Sequence, residues 1–144
     1  MPEFPWAWRS APAPTSECTV MASRLPVRGY RHLPVFLQRS LVIRRQLASA
    51  PGLIGFALLA DLLHKTFWTV SAWDSRRSLT GFSMTNPHRI IARATKPMTG
   101  VSTFVFWTCP VAELPVSWDE VRRRVIRART VAAPARIRVR GPGT

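Results

Sequence analysis

Histidine is the side chain best suited to moving a proton near neutral pH, and this chain of 144 residues has three, His32, His64 and His88. His88 follows Asn86-Pro87, a pair that opens a helix: Asn is a strong cap, and Pro is tolerated at the first helical position. A helix N-terminus disfavours imidazolium, so the His88 ring is expected to be neutral, able to act as a base or a ligand. It is the candidate catalytic residue. His64, in a predicted hairpin loop, and His32, ahead of the first predicted helix, are expected to be solvated.

Large rings lie just upstream. Thr66 to Trp73 is β-branched and aromatic almost throughout, which predicts a strand. Its alternation puts Trp68, Val70 and Ala72 on one face and Phe67, Thr69, Ser71 and Trp73 on the other. The candidate substrate-binding residues are Trp68, Trp73, Phe82, Asn86 and Arg24. Asn86 doubles as the helix cap. Arg24, on the first predicted strand, either snorkels to an edge or meets an acidic group of the substrate. Rings with few polar groups suit a flat, hydrophobic small molecule such as a polycyclic aromatic, a carotenoid or a porphyrin.

Other chemistries lack their residues. There is no Gly-rich phosphate loop, no nucleophile elbow and no Cys/His zinc spacing, so no metal site is expected. Seven acids make no convincing carboxylate pair. Cys18 and Cys109 are expected to pack as small hydrophobes.

The elements that must position these residues follow from periodicity. Glu17 to Leu25 alternates and predicts a strand. Leu33, Phe36, Leu37, Leu41, Ile43 and Leu47 recur at helical spacing and predict a helix over Pro34 to Ser49, with Arg39, Arg45 and Gln46 turned away. Leu53 to Ala60 is apolar on both faces and predicts a strand covered on both sides. The loop from Asp61 to Lys65 leads into the Thr66 to Trp73 strand. Asp74 and Ser75 then cap a helix burying Leu79 and Phe82, and Pro87 to about Thr95 forms another, burying Ile90, Ile91 and Ala94. Val101 to Thr108 predicts the fourth strand, and Ser117 to Glu120 has the ends of a capping box for a short final helix. The order βαββαβ predicts a ferredoxin-like α+β fold, an antiparallel sheet with helices on one face. The other face is then expected to be buried by a second copy, giving a homodimer.

The net charge is +14, but residues 122–144 hold eight arginines and no acid, leaving +6 for residues 1–121. No nucleic-acid-binding motif accompanies that charge, so nucleic acid is not an expected partner. No run approaches the roughly eighteen apolar residues of a membrane helix, and the start of the sequence does not resemble a secretory signal, so a cytoplasmic location is expected. The expected organisation is a flexible leader over 1–16, one domain over 17–127 and a disordered basic tail over 128–144.

The stretch GLIGFALLADLLHKTFWTVSAWDSRRSLTGFSMTNPHRIIAR resembles the dimeric α+β barrel superfamily, and within it the antibiotic biosynthesis monooxygenase-like proteins. The matching features are the Pro51-Gly52 turn, the strand ending in Trp73-Asp74-Ser75 and the segment Thr85 to His88. They cover about residues 17 to 108. Phe67-Trp68-Thr69, Trp73 and His88 also resemble uncharacterised members related to spheroidene monooxygenase. The resemblance implies a pocket between sheet and helices and a monooxygenase acting on a hydrophobic substrate, with His88 as proton acceptor and either no cofactor or haem. A non-enzymatic dimeric ligand-binding or structural protein of the same fold is the alternative. Haem-degrading members carry a tryptophan at the position of Phe82 and an iron-ligating histidine at that of Ala92, and both departures argue against haem.

Overall fold

The computed structural model describes residues 3–86 and 88–139. In chain order the elements are β1 (Glu3–Trp8), β2 (Glu17–Pro26), α1 (Leu33–Leu47), β3 (Leu53–Asp61), β4 (Thr66–Trp73), α2 (Arg76–Met84), α3 (His88–Thr95), β5 (Thr103–Pro110) and α4 (Trp118–Val139). The strands form one sheet in the order β1-β3-β4-β2-β5, antiparallel at every pairing. The four strands other than β1, in the order β3-β4-β2-β5, give the ferredoxin-like arrangement expected from the βαββαβ succession, and β4 spans the residues its aromatic and β-branched run predicts.

The corners that aim the site are local chemistry. Gly52 has φ of +81° and accepts the Asp74 N–H at its carbonyl (2.8 Å), which locks the entry of β3 to the exit of β4. A side chain at Gly52 would collide with Asp74 and Ser78. Ser75 caps α2, its Oγ accepting from the Ser78 N–H at 3.1 Å, while the Ser78 hydroxyl donates to Asp74 Oδ1 at 2.6 Å. In the β3–β4 hairpin Asp61 accepts from the His64 N–H and pairs with its ring Nδ1 at 2.8 Å. His64 is thus a turn residue at the surface.

Both faces of the sheet are covered. On one lie α1, α2 and α3, over Phe56, Leu58, Phe67 and Trp73. On the other, Val20, Ala22, Ile54, Leu59, Trp68, Val70 and Ala72 pack against Val111 and Leu114, which follow β5, and Val121 and Val125 of α4. Every residue of β3 is buried as a result. One argument for a homodimer took that second face to be bare, and the chain itself covers it.

Three expectations are corrected. Residues 3–8, expected to be a loose leader, form β1 against β3. Pro5 lacks a donor, and an edge strand can accommodate that. Register shifts between Phe4 and Ala7, so Phe4 packs under α1 while Trp6 packs on the α4 face, its indole seated against Gly55. Residues 128–139, expected to be disordered, continue α4; Met1, Pro2 and residues 140–144 lie outside the described residues. In α3, Ile91 and Thr95 are buried, whereas Ile90 is 59% exposed and Ala94 is also exposed, which shifts the buried stripe by one residue from the expected one. Pro87, the expected first residue of that helix, lies outside the described residues.

Cys18 and Cys109 face each other across β2 and β5, Sγ to Sγ 3.7 Å, both buried, and burial pushes the Cys109 thiol up to about 12. They are inert as nucleophiles in that setting. Among the described residues no helix is long and apolar enough to cross a membrane, and no three His, Cys, Asp or Glu side chains converge as a metal site would require.

Candidate functional site

A cavity of about 520 Å³ opens between the helix face of the sheet and α1–α3. Met21, Ser23, Thr69, Ser71 and Trp73 form its floor, Phe36 and Ser40 of α1 one wall, and Leu79, Phe82, His88, Ile91 and Thr95 of α2 and α3 the other, with Phe104 on edge strand β5 at its open side. The floor is placed by register: Met21 pairs Ser71 and Ser23 pairs Thr69, so alternation delivers all four to one face.

Three of the expected site residues come together there. Trp73, Phe82 and His88 stand in a row, ring centroids 5.4 Å apart for the first pair and 5.0 Å for the second. The Trp73 indole N–H donates to Ser71 Oγ at 2.8 Å, which fixes the ring and removes its polar atom from the cavity's demands. His88 is half-buried. Its ring Nδ1 lies 3.2 Å from the Ser83 carbonyl. A carbonyl only accepts, so Nδ1 carries the proton and, in the neutral ring, Nε2 is the acceptor. Burial lowers the His88 pKa below the ordinary value, with the Ser83 carbonyl opposing that shift in part. Desolvation thus favours the neutral ring, at the helix start to which the sequence pointed.

The other three lie elsewhere. Trp68 is on the opposite face, in the core under α4, with the Arg122 guanidinium 5.7 Å over its ring. Arg24 shares that face, where burial and the charge of Arg129 both draw its pKa down. Neither reaches the cavity. Asn86 is exposed and lies with Arg89, Ile90 and Arg93 along a shallow depression on the outer side of α3.

Several residues of the site were missed. Gln46, expected to be turned away, reaches from the end of α1 to the start of α3. Its Oε1 accepts the His88 N–H at 2.9 Å and its amide donates to the Thr85 carbonyl at 3.4 Å. The donor that Asn86 was expected to satisfy is taken by a residue from another helix. Ser83 orients the ring, and Ser23 and Thr69 share a hydrogen bond between their hydroxyls on the floor. Only the serine and threonine interrupting otherwise apolar strands signalled this in the sequence.

The lining is electrostatically one-sided. Arg28, Arg39, Arg44 and Lys96 line the cavity, and no acid does. Arg44 holds its guanidinium 5.3 Å over the Phe4 ring and 5.6 Å over that of Phe56, and its Nε is buried with no hydrogen-bond partner.

Haem fits these residues poorly. Ala92, where the resemblance places an iron ligand, presents only a methyl group to the cavity, and His88, one turn earlier, has its ring tied back to Ser83 and packed at a tilt against Phe82.

No protein-family model matches the chain, and no curated protein sequence matches it. Solved structures do. SnoaB, a cofactor-independent oxygenase from Streptomyces nogalater, is 17% identical, with a TM-score of 0.55 over 65% of this chain and 93% of its own. A candidate antibiotic biosynthesis monooxygenase from Nitrosomonas europaea is 14% identical, with a TM-score of 0.58 over 62% of this chain and 88% of its own. A ferredoxin-fold protein from Listeria monocytogenes, related to antibiotic biosynthesis monooxygenases, is 22% identical, with a TM-score of 0.53 over 64% and 56% respectively. At these identities the likeness is one of fold, and the fold is that of the antibiotic biosynthesis monooxygenase-like proteins.

Proposed function

We propose that this protein is a monooxygenase-like enzyme that takes a flat, hydrophobic substrate into the cavity between sheet and helices, with His88 as the general base. The observation that carries the reading is the state of His88: a neutral imidazole on the wall of an apolar cavity, its Nδ1–H committed to Ser83 and its Nε2 left to accept. Such a base removes a proton from an acidic C–H or phenolic O–H of a substrate stacked along Trp73 and Phe82. The resulting anion is electron-rich enough to reduce dioxygen. One oxygen atom enters the substrate, the other leaves as water, and the substrate supplies the electrons, so the reaction balances without a cofactor. The resemblance to a cofactor-independent oxygenase in fold supports this version over a haem-linked one, as does the alanine at position 92.

The alternative is a passive ligand binder of the same fold, and turnover separates the two. A panel of polycyclic hydroquinones and anthrones is incubated with the protein under labelled dioxygen, and label in product and water is measured. One label in each, lost in His88→Asn while ligand still binds, is the expected result. Binding without oxygen consumption in the native protein would leave the binder.

A further inference from the structure

We propose that the cavity is selective for an anion: its ligand is a ring system that carries an ionised acid, a carboxylate or an acidic phenolate, held by Arg44 and Arg39 with Arg28 and Lys96 at the rim. The inference rests on the reading of the cavity as a site for a flat molecule and adds the charge of that molecule.

Four cations come to one cavity from three separate places in the chain. Arg28 follows β2, Arg39 and Arg44 lie on α1 five residues apart, and Lys96 follows α3. The ion pairs among the described residues are Asp61 with His64 and Glu120 with Arg123 and Arg124, so no acid there neutralises any of the four. A solvated charged face would leave its guanidinium groups in water. Arg44 instead lies over two phenylalanines, with a donor nitrogen buried and unmatched. Leaving such a donor unpaired is costly, and an occupant with an anionic oxygen removes that cost. Uncompensated like charges around an apolar concavity also focus a positive potential into it, which draws anions in and holds neutral molecules no better than the rings alone would.

The chemistry of the floor agrees. Ser23 and Thr69 hydrogen-bond to each other and Ser71 accepts from Trp73, so the floor offers neutral hydroxyls and no charge, and the cations stand on other elements. Charge at the arginine side and rings at the Trp73 side divide the ligand into an acidic end and an apolar body.

The test is calorimetric titration of the full chain with anthracene-2-carboxylate, its primary amide and dodecanoate. The acid should bind about tenfold more tightly than the isosteric amide at low ionic strength, and the preference should shrink in about 0.5 M salt. Arg44→Gln and the exposed Arg39→Gln should each lower affinity for the acid several-fold and leave the amide unchanged; the second variant reports even if the first disturbs packing. Equal affinity for acid and amide overturns the proposal while leaving the ring-binding reading intact. A preference undiminished in both variants also overturns it, and dodecanoate binding as tightly as the ring acid overturns the ring body. Failure of acid and amide alike to bind overturns both readings.

Discussion

One strand supplies a tryptophan to each face of the sheet, and the two meet opposite fates. Trp68 is 9% exposed and packs in a filled core beneath α4, among Val20, Val70 and Val121. Trp73 is 1% exposed yet forms part of the floor of a cavity, its N–H already satisfied by Ser71. What differs is the cover. α4 lays small aliphatic side chains on its face, Val121 and Val125, which sink between the strand side chains. The α1–α3 layer touches its face through larger rings and long arginines that bridge without filling. Burial of a residue therefore says little about whether it stands beside a binding site.

Placing a charge in the filled face should break this contrast most severely. Val121 is fully buried, and Val121→Asp leaves a carboxylate with no partner among apolar neighbours. A loss of roughly 3–5 kcal/mol is expected in urea denaturation; a loss under about 1 kcal/mol would mean that α4 does not seal that face.

Truncating the two tryptophans sharpens it. Trp68→Ala and Trp73→Ala should each cost about 3 kcal/mol in the same assay, but only Trp73→Ala should also weaken binding of a flat aromatic ligand. Equal effects on binding would dissolve the distinction between the faces.

Gly55→Ala tests the edge of the filled face. An added methyl would lie 2.5 Å from the Trp6 indole, so the ring must move and β1 with it, at an expected cost of about 1–3 kcal/mol by thermal denaturation. Unchanged stability would show that Trp6 seats loosely.

The smallest effect on stability belongs to the cavity face. Since burial lowers the His88 pKa, the unfolded chain binds its proton first as pH falls. Stability contributed by the neutral ring is complete above about 6.5 and declines as pH drops below that value. His88→Asn should flatten this decline while shifting stability at pH 8 by less than about 1 kcal/mol, and a pH profile identical to that of the native protein would show that another group titrates.

Reading the sequence went furthest where pattern and structure share a period. β4, the Ser75 cap and the row from Trp73 to His88 were legible because alternation and capping are local. β1 was not, since Pro2, Pro5 and the prolines after Trp8 match a loose leader in composition, and only pairing with β3 reveals the strand. The polar reach of Gln46 across to α3, and the gathering of Arg28, Arg39, Arg44 and Lys96 around one space, depend on how α1 crosses the sheet, which no local spacing encodes. Trp68 was misassigned for a related reason: alternation separates the two faces without saying which one holds the cavity.

The cover supplied by α4 also sets a schedule. β1 to β5 precede it in the chain, so a growing chain can assemble the whole sheet while Val20, Leu59 and Trp68 still lack the helix that buries them. At ordinary elongation speeds of about 5–20 residues per second, the residues from Val111 to Val139 take a few seconds to follow. For that interval the nascent chain presents one apolar sheet face to whatever surrounds it, and the arrival of α4 ends the exposure.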